Sequence, residues 1–287
     1  MSKLRERMIR DMQLRRLSEK TQESYVHGVK SLAKHYMLSP DQLSDHQVQD
    51  FILHLLNERQ LAWSTCNTYL AGMQFFYGTT LGRASTCLAL PPRRKDQRLP
   101  EILSSEELTR LFGATTNVKH RVLLMTTYSC GLRSGEVRHL KVADIDSDRM
   151  TLHIRQAKGR KDRYVTISPR LLQELRAYWN ACRPRGYLFP GQAPDRPMPR
   201  DTPLRIYKRT AYKADIRKAG GIHALRHSYA THMLEAGVDL RTLQVLMGHH
   251  SILTTQRYLR VTRKNLGAPD RPLDLLAIAA QKQAPPA

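Results

Sequence analysis

Acidic residues are scarce in this chain: 25 Asp and Glu stand against 47 Lys and Arg, giving a formal net charge of +22. An excess of this size goes beyond what solubility requires and predicts a polyanionic partner. The basic residues are interleaved with apolar positions at helical spacing and do not stand in low-complexity runs. The charge is therefore expected on folded surfaces, which argues against a basic disordered tail.

Cysteine and long apolar runs are also lacking. The four cysteines, Cys66, Cys87, Cys130 and Cys182, form no CxxC pair, so neither a zinc ribbon nor a disulfide framework is indicated, and a reducing compartment is expected. No apolar run reaches the roughly 18 residues of a membrane span, and the N-terminal segment lacks the apolar core of a signal peptide. These absences predict a soluble cytoplasmic protein.

The length of 287 residues exceeds the usual ~100–200 residues of one domain and predicts two. We expect a helical domain over residues 1–90, a linker over 91–100, a second domain over 101–268 and a tail over 269–287. Within the first domain, three serines each precede apolar residues at three- and four-residue steps, a pattern typical of capped helices: Ser18, Ser44 and Ser64. The aromatic residues of these helices keep helical spacing and are expected in the core.

The linker segment LPPRRKDQRLP contains three prolines and a cluster of basic residues, which no helix or strand interior accommodates. It is either a solvated linker or an extended strap that lies on phosphates while two domains close around a duplex. In the second case its DNA-contacting residues are Arg93, Arg94, Lys95 and Arg98.

The second domain is predicted to be mainly helical with one β-hairpin. Ser104 and Glu107 form a capping-box pattern that begins its first helix. Apolar residues alternate with polar ones over residues 151–168, which predicts a hairpin with Lys158 and Gly159 at its turn. Glycines that would end helices stand at Gly131, Gly237 and Gly248. The predicted fold class is therefore mainly α with a small β-hairpin, or α+β.

Four residues near the C-terminus combine two imidazoles, a guanidinium and a phenol: His223, Arg226, His249 and Tyr258. A phenol has an ordinary pKa near ~10 and needs a proton acceptor before it can attack, and a pentacoordinate phosphorus needs positive charge on its equatorial oxygens. This set predicts phosphodiester chemistry without a metal.

Upstream, the segment GLRSGEV places Glu136 one helical turn after Arg133. The carboxylate could hold the guanidinium so that its remaining donors match two phosphate oxygens. The alternative is an ordinary helix-surface ion pair, worth only ~0.3–0.5 kcal/mol.

Five segments, GLRSGEV, AKGRKDRYV, HALRHSYATHML, LMGHH and TTQRYL, together resemble the tyrosine recombinases of the phage-integrase and Xer-type group. The N-terminal runs TQESYVHGVKSLAKHY and STCNTYLAGMQFFY are similar to the helical DNA-clamping domain of that family. The family pattern of Arg, Lys, His-x-x-Arg, His or Trp, and Tyr implies these catalytic residues: Arg133, Lys158, His223, Arg226, His249 and Tyr258.

The resemblance implies a mechanism in which Tyr258 attacks the scissile phosphate, forms a 3′-phosphotyrosyl bond and releases a 5′-hydroxyl. The two arginines would neutralise the nonbridging oxygens, and Lys158 would protonate the leaving oxygen. His223 would accept the phenol proton, and His249 would hydrogen-bond the phosphate. The implied partners are double-stranded recombination sites bound by a homo-tetramer, with no cofactor and no small-molecule substrate, in a nucleoid-associated protein.

Lys161 lies three residues beyond Lys158 and could also face phosphate. Lys158 is assigned as catalytic because the family's lysine precedes the turn glycine. Arg160, Lys161 and Arg163 are then expected to be DNA-backbone contacts or solvated charges.

Three further interpretations compete with this one. A metal site built from His223, His227 and His232 is disfavoured, because no HExxH pattern or paired carboxylate completes it; His227 and His232 are expected to pack or to lie on the helix surface. The others are a type IB topoisomerase, which uses a similar residue set, and a noncatalytic DNA-binding regulator on the same fold.

The apolar tail residues Leu273, Leu275, Leu276 and Ile278 could pack within their own protomer or dock on a neighbouring subunit.

Overall fold

The computed structural model describes residues 3–83, 100–155, 162–218 and 220–259. The chain divides into two units, Met1–Asp96 and Gln97–Ala287, and each contains its own hydrophobic core. No helix in the described ranges is both long and apolar enough to cross a bilayer. The linker residues Arg93, Arg94, Lys95 and Arg98, the hairpin residues Lys158, Arg160 and Lys161, and the apolar tail lie outside the described residues.

The first unit is helical in its described part. Its α-helices are α1 (Lys3–Leu14), α2 (Glu19–Tyr36), α3 (Asp45–Asn57) and α4 (Trp63–Gln74), and a π-helical turn over Phe75–Thr80 continues α4. Ser18 and Ser44 cap α2 and α3 as predicted, because each hydroxyl accepts a backbone N–H three residues later. Ser64 does not cap: α4 begins one residue before it, after Ala62. Helix α1 was not predicted.

Two glycines allow α2 and α4 to approach closely. A Cβ added at Gly72 would lie 2.8 Å from Cα and the carbonyl oxygen of Tyr25, and one added at Gly28 would lie 3.0 Å from Cα of Tyr69. Each helix therefore offers a glycine to the other helix's backbone. Buried apolar side chains from all four helices complete this core, including Met12, Leu32, Phe51 and Met73.

The second unit combines eight α-helices and a small sheet in its described part. The helices are α5 (Ser105–Gly113), α6 (Val118–Ser129), α7 (Ser134–His139), α8 (Pro169–Cys182), α9 (Thr202–Lys213), α10 (His223–Glu235), α11 (Leu240–Met247) and α12 (Ile252–Gln256). Ser104 and Glu107 form the predicted capping box of α5. Helix α9 follows the proline-rich loop and has Pro203 in its first turn, where the missing N–H costs no helical bond.

The predicted hairpin is present as two antiparallel strands, β2 (Thr151–Ile154) and β3 (Arg163–Thr166), with Leu152 opposite Val165. A short strand, β1 (Ile145–Asp146), extends it to three strands in the order β1-β2-β3. The alternating residues Leu152, Ile154 and Val165 are buried against the helices. In this register Arg163 lies on the buried face of β3.

The C-terminal helices meet around a separate small cluster of buried residues: Tyr229, Ala230, Leu243, Met247 and Tyr258. Gly248 ends α11 in the left-handed conformation with φ of 61°, as its position in the sequence predicts. A Cβ at this glycine would also come within 3.1 Å of Cδ of Arg163. The turn after α11 thus lies directly against the sheet.

The α2–α4 contact makes a stability prediction. Gly72→Ala should lower the free energy of unfolding of the first unit by about 1–3 kcal/mol, because its methyl group would collide with the backbone of Tyr25. Gly78→Ala is the matched control: no heavy atom lies within 4 Å of its added Cβ, so stability should stay equal or rise. Urea unfolding followed by Trp63 fluorescence in a Trp179→Phe background measures both. Equal stability of the two variants would contradict this account of the helix crossing.

Candidate active site

The carboxylate of Glu136 is the centre of a buried cluster of charges. Its Oε1 accepts hydrogen bonds from Nη1 of Arg133 at 2.7 Å and from Nη1 of Arg163 at 2.9 Å. Its Oε2 accepts from Nη2 of Arg163 and from the backbone N–H of Arg133, both at 2.8 Å. Nη1 of Arg226 lies 3.8 Å from the same oxygen. The prediction that Glu136 holds Arg133 is confirmed, and the carboxylate is buried while Arg133 stays partly exposed, so this is not an ordinary helix-surface ion pair.

These contacts keep the carboxylate ionised. Burial alone would raise the pKa of Glu136, whose side chain is 6% exposed, but the hydrogen bonds and charges of Arg163 and Arg133 outweigh it and lower the pKa to about 2. The negative charge is therefore present throughout the physiological range.

Arg163 is a structural member of this cluster. Its side chain is 8% exposed, its two Nη atoms donate to Glu136, and its Nε donates to the carbonyl of Leu246 at 3.0 Å. The expectation that Arg163 contacts DNA or is solvated is wrong, because burial and these bonds withdraw it from the surface. The sequence contains a signal for this burial: Arg163 stands two residues before the apolar Val165, and alternate residues of a strand lie on the same face.

Arg226 joins three segments of the second unit. Its Nη1 donates to the carbonyl of Gly131, and its Nη2 donates to the carbonyl of Met247 at 2.6 Å and contacts Nε2 of His249 at 3.0 Å. Burial, followed by the charge of Arg133, lowers the pKa of Arg226 to about 10. The guanidinium remains charged near neutral pH and lies beside the turn that follows α11.

His249 is neutral and has a defined tautomer. An arginine can only donate, so Nε2 of His249 accepts from Arg226, and Nδ1 donates to Oγ1 of Thr255 at 2.8 Å. Burial and the charges of Arg226 and Arg133 lower its pKa to about 3. In this arrangement the imidazole links α10 to α12.

The phenol of Tyr258 is buried next to this cluster. The residue is 2% exposed, and its ring is parallel to that of His249, with centroids 6.4 Å apart. Burial raises the pKa of Tyr258, while Arg226 and Arg257 oppose that shift. Of the predicted residues, Arg133, Arg226, His249 and Tyr258 are therefore brought together.

The imidazole within hydrogen-bonding distance of the phenol oxygen is that of His227, not that of His223. Nδ1 of His227 lies 2.9 Å from Oη of Tyr258, so His227 packs as predicted, but against the predicted nucleophile, a contact that was not predicted. The spacing HxxRH could have indicated it, because positions four apart share one face of a helix. His232 also packs as predicted, with Nδ1 2.9 Å from the hydroxyl of Tyr128.

His223 begins α10 and is exposed. It borders a cavity of about 670 Å³ that is also lined by basic side chains, among them Arg133, Lys141 and Arg155. In the described ranges its imidazole makes no hydrogen bond, to Tyr258 or to any other group. The assignment of His223 as the acceptor of the phenol proton therefore does not fit the observed geometry.

Within the same described ranges, no three His, Cys, Asp or Glu side chains are grouped so that they could hold a metal ion. Lys158, which the sequence places among the catalytic residues, lies outside these ranges.

Comparison with protein families gives two matches along the chain. The model of the phage integrase family matches residues 101–265, and that of the phage integrase N-terminal SAM-like domain matches residues 4–86. The integrase/recombinase y4qK of Sinorhizobium fredii is 40% identical over 96% of this chain and 90% of its own length. An integrase/recombinase of Escherichia coli is 31% identical over 90% of this chain and 89% of its own length.

Solved structures share the fold. The XerA recombinase crystal structure has a TM-score of 0.53 at 24% identity and 99% coverage of both chains. The Tn1549 transposon integrase in complex with transposon right end DNA has a TM-score of 0.70 at 16% identity, covering 98% of this chain and 99% of that one. Together with the described helices and the three-stranded sheet, these similarities confirm the predicted fold class.

The charge cluster predicts a pH-dependent stability. Because the pKa of Glu136 is lower in the folded state than its ordinary value, the cluster stabilises the fold above about pH 5 and loses this effect as the pH falls toward 2. Glu136→Gln should lower the free energy of unfolding by about 3–5 kcal/mol near neutral pH, since it leaves Arg163 buried without a counter-charge. The difference from the parent should shrink by about 3 kcal/mol between pH 5 and pH 2.

Urea unfolding at several pH values measures this difference. Glu174→Gln is the control, because Glu174 makes a half-exposed ion pair with Arg121 at 3.3 Å and should contribute only about 0–1 kcal/mol. Parallel stability curves for the parent and Glu136→Gln would contradict the assigned role of this carboxylate.

Proposed function

The chain belongs to the phage integrase family, and we propose from this premise that its Tyr258 cleaves duplex DNA and carries the 3′-phosphate until the strand is rejoined. The enzyme is a tyrosine-type DNA strand transferase that acts in site-specific recombination. The observation that carries the proposed residue roles is the position of the Tyr258 phenol. It lies beside the guanidinium of Arg226 and the imidazole of His249, in a cluster fixed by Glu136.

In the proposed step, the phenolic oxygen attacks the phosphorus and the 5′-oxygen leaves. Arg133, which keeps an exposed edge, and Arg226 balance the charge that grows on the nonbridging oxygens. Lys158 protonates the leaving oxygen. His223, at the cavity beside Arg133, faces the same phosphate. His249 donates to the phosphate from Nε2 in its other neutral tautomer, in which Nδ1 accepts from the hydroxyl of Thr255 and the present contact of Nε2 with Arg226 is given up.

The phosphotyrosyl bond retains the energy of the broken phosphodiester. A 5′-hydroxyl from a second duplex can therefore reverse the step and join a new strand, without ATP or a divalent cation. Recombination requires two such duplexes, and we propose that four copies of the chain hold them together.

The proposed partner is double-stranded DNA, held by both units of the chain. The net charge of +22 and the SAM-like match over residues 4–86 support this partner. The basic residues Arg93, Arg94, Lys95 and Arg98 of the linker, together with Arg160 and Lys161, would contact phosphates, which set affinity without reading sequence. An enzyme with such a substrate would be found with the nucleoid.

The direct test is covalent capture. The parent protein is incubated with sheared DNA from its own genome, protein-linked DNA is isolated under denaturing conditions, and the captured ends are sequenced to define the site. A nicked duplex of that site should give a covalent adduct with the parent and none with Tyr258→Phe. The parent should form it equally in excess chelator.

Adducts with Tyr258→Phe would contradict the proposed nucleophile, and loss of activity in chelator would support a metal site instead. Plasmid relaxation distinguishes a topoisomerase: we expect relaxation only of plasmids that carry the captured site. Relaxation of a plasmid without it would favour the topoisomerase. The absence of any adduct from the parent would favour the noncatalytic regulator.

The apolar tail is proposed to dock on a neighbouring subunit and to couple cleavage within the tetramer. Ending the chain after Ala268 should leave DNA binding intact but abolish or uncouple strand exchange, because the apolar residues from Leu273 to Ile278 are removed. Gel-shift and recombination assays on the captured site measure the two activities separately. Unchanged recombination by the truncated protein would contradict docking in trans.

A further inference from the structure

Helix α10 carries two histidines one turn apart, and they face different surroundings. His223 is exposed at the cavity, whereas His227 is partly buried and has Nδ1 2.9 Å from Oη of Tyr258. The two rings of the His227–Tyr258 pair have centroids 5.7 Å apart and are tilted by 47°. The hydrogen bond is therefore made through the ring edge, as a proton transfer requires.

We propose that His227 is a catalytic residue of the cleavage step: its Nδ1 accepts the proton of Tyr258 as the phenolic oxygen attacks the DNA phosphate. This inference rests on the proposed function and adds to it the acceptor that the step needs. The O–H bond of the phenol breaks, the P–O bond to tyrosine forms, and the P–O bond to the 5′-oxygen breaks. The phenol proton goes to His227, and the leaving oxygen takes a separate proton from Lys158.

The distance favours this imidazole over the other two in the site. A general base must lie within ~2.6–3.2 Å of the atom whose proton it removes, and His227 meets this condition. Both ring nitrogens of His249 are engaged, one by Arg226 and one by Thr255. His223 makes no contact with the phenol in the described part of the chain.

The charges around His227 suit a base that is activated by its substrate. Burial and the charges of Arg257, His223 and Arg226 lower the pKa of His227 to about 4, so the imidazole is neutral and able to accept near pH 7. Before DNA binds, however, the charges of Arg257 and Arg226 also oppose a positive charge on the ring. A phosphate held by Arg226 would offset that repulsion and raise the basicity of His227 where the substrate is in place.

The same helix supplies a matched control. Nδ1 of His232 lies 2.9 Å from the hydroxyl of Tyr128. This pair therefore joins the same two atoms at the same distance as the His227–Tyr258 pair, but it lies outside the arginine cluster. Replacing either histidine by asparagine keeps an oxygen near the Nδ1 position that can accept a hydrogen bond but cannot take up a proton.

The experiment measures single-turnover adduct formation on the nicked captured site between pH 5 and pH 9. His227→Asn should react about 10²–10⁴-fold more slowly than the parent near pH 7. Its rate should then rise with pH as the phenol ionises, without the plateau of the parent. His232→Asn should keep the rate and pH profile of the parent. His223→Asn should lose rate but keep the profile.

Two additional measurements distinguish a base from a residue that merely holds the tyrosine. Imidazole in solution should restore part of the activity of His227→Ala. A substrate with sulfur in place of the leaving 5′-oxygen needs no proton on departure, since a thiol has a pKa of only ~8.5. This substrate should rescue Lys158→Ala but not His227→Asn.

The outcomes separate the inference from the function on which it rests. Adduct formation by His227→Asn at the parent rate and with the parent pH profile would overturn the inference alone. Rescue of His227→Asn by the sulfur substrate would overturn it too, because it would place His227 on the leaving group. A parent protein that forms no adduct would overturn both.

Discussion

One buried carboxylate, that of Glu136, organises the catalytic unit of this chain. It accepts four hydrogen bonds from Arg133 and Arg163, and Arg226 lies just beyond hydrogen-bonding distance. A buried charge that loses its partner is strongly unfavourable, so these groups constrain one another. The cluster connects the start of α7, strand β3 and helix α10. The remaining donors of the arginines bind the carbonyls at the end of α11 and at Gly248, which precede the segment that carries Tyr258.

The charge balance of the cluster explains why an anion belongs there. Three guanidinium groups surround one carboxylate, which leaves the site positive before any ligand binds. Burial and the charges of the arginines lower the pKa of His249 to about 3 and that of His227 to about 4, so these two imidazoles are neutral near pH 7. A phosphodiester brings the negative charge that the site lacks. The same charge would favour protonation of an imidazole as the phenol loses its proton.

Local patterns in the sequence predicted those features that depend on a few neighbouring residues. The caps at Ser18 and Ser44, the hairpin, the glycine ending at Gly248 and the Arg133–Glu136 pair all follow from short-range geometry. The resemblance to the tyrosine recombinases came from motifs spread along the second unit, and the family match confirms it.

The features that were missed depend on contacts between distant segments. In the sequence, Arg163 is indistinguishable from the other basic residues of the hairpin. Its role becomes visible only in the fold, where its guanidinium binds Glu136. His223 and His227 share a helix face, and only the position of the turn after α12, which carries Tyr258, decides which of them meets the phenol. The start of α4 was missed because no side-chain cap marks it. The roles of Lys158 and of the linker residues stay predictions.

The measurement that tests the central claim most directly is the chemical identity of the residue that carries DNA. The covalent complex is digested with nuclease and protease, and the peptide bearing a nucleotide is sequenced by mass spectrometry. Our account predicts a single modified residue, Tyr258, linked through a 3′-phosphate. A nucleotide on any other side chain, or cleavage that leaves no modified peptide, would contradict it.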